Sequence, residues 1–267
     1  MVRWEVGLST GIAYRHPIED VLPAVRGHGF EAIEVSTAPP HLDIADLPRL
    51  RRLRARVDDL GLRVHSLHAP FGHDVNLTSP DLAHRREAID RLVLAADALV
   101  VLGGALYVIH PGGEDQRWVW DRDRRLALSV EGLNEVWRVC RDRGLTLVVE
   151  TPLPHLLGGQ PADFAWILAR LPAEGTTICI DTSHCALGGT LMESIAAAAG
   201  RLGHVQASDN HGHTDDHLAP GQGRLDWTAI EASLQNAGFQ GVFMLEVTGE
   251  GGVAACLDGL GAWRNRG

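Results

Sequence analysis

The chain contains no lysine, and all 24 of its basic residues are arginine. That absence removes a lysine Schiff base, a P-loop lysine and lysine general-base chemistry from consideration. Cysteine is scarce too. Cys140, Cys179, Cys185 and Cys256 show neither zinc-type pairing nor Cys-x-x-Cys spacing, so reduced and mostly buried thiols are expected. No apolar run approaches the roughly 18 residues of a membrane span. The opening Met-Val-Arg-Trp-Glu-Val lacks the basic region and apolar segment of a signal peptide. Together these predict a cytoplasmic protein with no membrane partner. Positive charge is in deficit, at a formal −10, which argues against broad nucleic-acid affinity because that affinity needs basic side chains to displace counterions from phosphates.

With 45% hydrophobic and 22% charged residues, disorder is excluded and a large core is affordable. Strand-like runs fall at 3–9, 32–36, 63–68, 106–110, 146–150, 177–181, 202–209 and 241–246. Helix-like runs follow them at 17–26, 47–60, 80–99, 122–143, 161–171, 191–199, 226–237 and 253–264. Strict alternation of this kind predicts βα units and a parallel sheet. Eight units at about 33 residues each fit a (β/α)8 TIM barrel, one α/β domain over 1–267 with no linker or composition break. An open doubly wound sheet would want a glycine-rich phosphate turn after the first strand, and Ser9-Thr10-Gly11 does not supply one. In the second helix Leu47, Leu50, Leu53, Val57 and Leu60 make an apolar stripe. The five arginines between Arg49 and Arg56 fall mostly opposite it, as a solvated face.

Chemistry gathers at the carboxyl ends of these strands. The third ends at His68, the fourth at His110, the fifth at Glu150, the sixth at Asp181 with His184 just beyond, and the eighth at Glu246. The loop after the seventh brings Asp215 and His217. Each alone has an ordinary structural reading, but barrel strand ends converge on one mouth. A buried cluster of carboxylates and imidazoles is costly unless a cation compensates it. A divalent metal is therefore expected, and mixed imidazole and carboxylate donors suit Zn, Mn, Co or Fe better than Mg or Ca.

The motifs His68-Ala69-Pro70, His110-Pro111-Gly112, Val149-Glu150-Thr151, Ile180-Asp181-Thr182-Ser183-His184, Ser208-Asp209-Asn210, Pro220-Gly221-Gln222-Gly223 and Leu245-Glu246 resemble the xylose isomerase-like barrel superfamily. That superfamily holds sugar isomerases and epimerases together with endonuclease IV-type abasic-site nucleases. The resemblance implies Glu150, Asp181 and Glu246 as ligands of a central metal. Gln206 stands where isomerase and epimerase members carry a histidine ligand, and its amide oxygen is expected to ligate in that place, less strongly than an imidazole. His204, two residues (about 6–7 Å) down the same strand face, is read as barrel interior. By similarity to the nucleases, His68 and His110 would hold a second metal bridged by Glu150, and His184, Asp215 and His217 a third.

The leading expectation is a metal-dependent isomerase or epimerase acting on a sugar, sugar phosphate or cyclitol. Glu150 and Glu246 move the proton beside a carbonyl, His184 binds a substrate hydroxyl, and Trp4, Phe71 or Trp120 lines the pocket. Ketose 3-epimerases of the superfamily carry a second glutamate six residues after the position of Glu150, where this chain has Leu156. The alternatives are an abasic-site phosphodiesterase with a multi-metal site, a dehydratase or other lyase, and a non-catalytic subunit. The partner expected is a small carbohydrate, with oligomeric state left open.

Overall fold

A computed structural model describes residues 4–114, 116–248 and 253–264. In chain order the elements are β1 (Val6–Ser9), α1 (Ile18–Gly27), β2 (Ala32–Ser36), α2 (Leu47–Asp59), β3 (Arg63–His68) and α3 (Leu82–Leu102). There follow β4 (Leu106–Ile109), α4 (Arg122–Asp142), β5 (Thr146–Glu150), α5 (Pro161–Leu168), β6 (Thr176–Asp181) and α6 (Thr182–Leu187). The last are α7 (Leu191–Ala197), β7 (Leu202–Ala207), α8 (Trp227–Asn236), β8 (Phe243–Leu245) and α9 (Val253–Arg264). The eight strands close into one ring in sequence order, with β1 paired in parallel to both β2 and β8. This is the TIM barrel that the alternating pattern predicts.

Strand parity divides the side chains. Outward residues such as Leu8, Ile33, Val35, Leu147, Ile180 and Val205 join the helices in the main core. Two small apolar groups fill the barrel interior: Ala32, Val242 and Met244 on one side, and Val108, Val148 and Cys179 on the other. Between them lies a polar plug. Glu34, fully buried on β2, accepts hydrogen bonds from Ser66 Oγ (2.7 Å), His204 Nε2 (2.9 Å) and Gln206 Nε2 (3.0 Å). Burial opposes its charge, but His204 and Gln206 hold Glu34 below the usual carboxylate range.

The differences from expectation have local causes. Helix α3 begins after Asp81, whose carboxylate accepts from the Ala83 and His84 amides. It runs on to Gly103, whose φ of 75° supplies the left-handed cap. Strand β7 stops at Ala207 because Asp209 leaves the ladder to bridge Leu218 in antiparallel fashion. Helix α6 was not anticipated; Asp181 caps it by accepting from the His184 amide at 2.8 Å. The expected first strand began at Arg3, which lies outside the described residues, as do the first two residues of the opening segment. The arginine face of α2 is solvated, except that Arg49 grips Glu19 at 2.7 Å and Arg54 donates to Leu102 O, tying α2 to its neighbours. All four cysteines are free, and three of them are buried.

Candidate metal centre at the barrel mouth

The strand-end residues meet in three adjoining trios: His68, His110 and Glu150; Glu150, Asp181 and His184; and His184, Asp215 and His217. Within each trio the potential donor atoms lie within 4.8 Å of one another. Glu150 and His184 each belong to two trios, so the three form one chain across the mouth. Glu150 is 1% exposed and Asp181 fully buried. His110 Nε2 lies 3.1 Å from Glu150 Oε1, His68 Nε2 3.1 Å from Glu150 Oε2, and His184 Nδ1 3.4 Å from Glu150 Oε1.

Backbone carbonyls aim three of the imidazoles. His68 Nδ1 bonds Ala69 O at 2.8 Å, His184 Nδ1 bonds Thr151 O at 2.9 Å, and His217 Nδ1 bonds Glu246 O at 3.0 Å. In each case Nδ1–H donates and Nε2 is left facing a carboxylate of the cluster. That tethering fixes tautomer and ring direction in the way metal-ligating histidines are usually held. His217 adopts φ of 47°, a left-handed backbone that side chains other than glycine rarely take. Such strain persists where the surroundings enforce it and is common at functional sites. Asp215 is steered by Ser183 Oγ, which donates to its Oδ1 at 2.7 Å, while Asn210 Nδ2 donates to Ser183 Oγ at 2.9 Å.

The loop carrying Asp215 and His217 is organised by Asp209. Its carboxylate accepts from the amides of Asn210, Gly221 and Leu225 and from Trp227 Nε1. Gly223 packs so close to this carboxylate that a Cβ would stand 2.2 Å from Asp209 Oδ1, which explains a glycine there.

The electrostatics split the acids. Burial works against charge on Glu150, but His110, His184 and His68 hold it well below the usual carboxylate range. Burial pushes Glu246 the other way, to about 8, with the charges of Glu150 and Asp181 adding and those of His217 and His68 opposing. Burial likewise raises Asp181, with Asp215 and Glu150 adding. Burial disfavours the charged imidazoles, yet the surrounding carboxylates raise His68 and His217 to about 10. Asp181 Oδ2 is buried and accepts no hydrogen bond among the described residues, and Glu150 Oε2 is buried against the His68 ring. Buried anionic oxygens beside tethered imidazoles form a donor set that fits a divalent cation.

The structure brings His68, His110, Glu150, Asp181, His184, Asp215 and His217 together. Glu246, half-buried immediately after β8, is within electrostatic reach of His217, Glu150 and Asp181. Gln206 points elsewhere: its Nε2 donates to Glu34 and its Oε1 accepts from Cys179 Sγ at 3.1 Å, so its carboxamide is bound into the plug beneath the mouth. Trp4, considered for the pocket, sits at the opposite end of the barrel, stacked 6.0 Å from Phe243 and donating to Phe239 O. Phe71 does reach the mouth, stacked on His110 with ring centroids 5.2 Å apart, while Trp120 is 91% exposed. Sequence reasoning missed Glu34 and Thr151. The signal for Glu34 was a lone acid at an inward position of the apolar run Ala32-Ile33-Glu34-Val35. Thr151 had no signal beyond its place after Glu150.

Residues 22–265 match the xylose isomerase-like TIM barrel family. An uncharacterised protein of Methanocaldococcus jannaschii is 24% identical over 247 residues, covering 90% of this chain and 82% of its own. The D-psicose 3-epimerase of Ruminiclostridium cellulolyticum is 25% identical over 251 residues, covering 87% and 78%. The crystal structure of a D-tagatose 3-epimerase-like protein superimposes with a TM-score of 0.83 at 22% identity, over 97% of this chain and 96% of that one, a likeness of fold. A family match over nearly the whole length, on a closed eight-stranded barrel whose mouth carries these residues, places the chain in the xylose isomerase-like TIM barrel family.

Proposed function

We propose that this protein is a metal-dependent epimerase or isomerase of a sugar or cyclitol, acting on the carbon next to a carbonyl. The observation that carries this reading is the placement of two glutamates on one mouth, Glu150 ringed by three imidazoles and Glu246 three strands further round the ring. Burial opposes charge on both, yet the imidazoles draw Glu150 below the usual carboxylate range while Glu246 is raised. Paired acids whose environments separate them in this way divide base and acid roles. The 3-epimerase among its relatives supports the same class.

Glu150 and Asp181 would hold the cation, with His184 beside them. When bound there, a divalent ion supplies Lewis-acid polarisation of the substrate carbonyl, acidifying the neighbouring C–H. Glu150 takes that proton on one face of the substrate. Glu246 delivers its own to the opposite face, inverting the carbon and leaving Glu150 protonated and Glu246 ionised until solvent resets them. His184, fixed by Thr151 O and facing Asp215 at 3.2 Å, orients a hydroxyl, and Phe71 over His110 excludes water from that side. Leu156, 6% exposed, puts no carboxylate where ketose 3-epimerases carry their second one. This favours a substrate other than a simple ketohexose.

A second reading draws support from the outer trios. His68 and His110 with Glu150, and His184 with Asp215 and His217, form two further donor sets, as a multi-metal phosphodiesterase requires. One experiment separates the two: count metal per chain, then incubate the loaded protein in D2O with ketoses and inososes, and separately with abasic duplex DNA. About one metal per chain with deuterium entering at the epimerised carbon supports the epimerase. About three metals with strand cleavage and no deuterium uptake replaces it with the nuclease.

A further inference from the structure

Behind the barrel wall, on the far side of β6 from the metal-ligand cluster, lies a cavity of about 210 Å³ between the sheet and helices α5 and α7. It exists because those helices are short. They have eight and seven residues where α3 and α4 have 21 each, so space remains between them and the buried outward faces of Ile178 and Ile180. The walls are mostly apolar, with Phe164, Leu168 and Ala198 facing the two isoleucines.

One residue does not suit such a lining. Arg201 lines the cavity, and its Nη1 donates to Leu168 O at 3.0 Å. Its Nε and Nη2 are buried and find no acceptor among the described residues. No carboxylate is found among the described residues that line the cavity. Burial draws Arg201 below its ordinary value, yet a guanidinium stays cationic at neutral pH. Nε and Nη2 form one edge of the planar fork, the geometry that takes a carboxylate through two parallel N–H···O bonds. The residue as a whole is half-buried, but unpaired N–H groups cut off from water are costly, and an anion on that edge would relieve them.

We propose that this cavity is a binding site for a small monocarboxylate with an apolar body, its carboxylate on the Nε/Nη2 edge of Arg201 and its chain against Ile178, Ile180 and Phe164. An apolar cavity of about 150 Å³ accepts benzene, so this one has room for about eight carbons. A single negative charge matches the single guanidinium, whereas a phosphate dianion would bring uncompensated charge into an apolar enclosure. The site lies on the opposite face of β6 from the mouth and meets it at Thr151, which lines the cavity and also holds His184.

Calorimetric titration of the full chain with octanoate, and with octan-1-ol as the uncharged control, tests this. Octanoate should saturate one site per chain and bind about tenfold or more tighter than the alcohol. Arg201→Gln should abolish that preference. Ala165→Trp, at an exposed position lining the cavity, should block octanoate without disturbing the core and decides the matter if Arg201→Gln does not fold. Glu150→Gln, at the mouth, should leave octanoate affinity unchanged. No saturable octanoate binding, equal affinity for the alcohol, or binding that persists in Ala165→Trp overturns the proposal.

Discussion

Three imidazoles converge on the carboxylate of Glu150, so at the scale of single residues it is the side chain whose loss should be felt most. Glu150→Gln keeps the shape but removes both the charge and the proton acceptor. Turnover should fall by about 10²–10⁴-fold, the usual worth of a positioned acid or base, and metal per chain should fall with it in the same preparation. His65 gives a prediction separate from the mouth. Burial, with the nearby charge potential of His204, lowers it to about 4, and its ring stacks 5.5 Å from that of His204. Its folded value lies below the unfolded 6.5, so its contribution is complete above pH 6.5 and is lost as pH falls towards 4. Urea midpoints measured across that window should drop less in His65→Phe than in the parent. Residues were legible in the sequence where they break a pattern. Asp181 ends an apolar strand, and Glu150 does the same. Gln206 was legible as a position but not as a conformation, because its direction is set by Glu34, a partner 172 residues away in the chain.

Between residue and fold stands the loop after β7, which carries two members of the outer trio on irregular backbone. Asp209 holds it through four hydrogen bonds and faces no member of the cluster itself. Asp209→Ala should therefore leave circular dichroism native while costing about 1–3 kcal/mol for the buried donors left unpaired. It should also loosen Asp215 beside His184, readable as a raised KM with metal per chain little changed. The elements themselves were mostly readable, because strand composition and helical spacing carry their own signals. Helix α6 and the early end of β7 were not. Both depend on a carboxylate choosing a backbone partner, Asp181 with the His184 amide and Asp209 with Leu218, and that choice is made only once the strands are side by side.

For the whole molecule, closure of the ring was legible from the count of βα units, whereas the depth and direction of each inward side chain depend on stagger between strands, which composition does not carry. If the cluster holds a cation, the folded chain binds it and the unfolded chain does not. A concentration about 100 times Kd then stabilises by about 2.7 kcal/mol, a rise of about 5–10 °C in melting temperature for a chain of this length, reversed by chelation and measurable by scanning calorimetry. The formal charge of −10 predicts that duplex DNA without an abasic site produces no salt-dependent retention on the protein. Strand β8 adds a last consequence. It is three residues long, it completes the ring against β1 and β7, and Glu246 follows it directly. The seam of the barrel is thus also the hinge pin of its acid: amides of β8 should be among the first in the sheet to exchange with deuterated solvent, and a cation bound beside Glu246 should slow them, acting as a clasp on the whole circle.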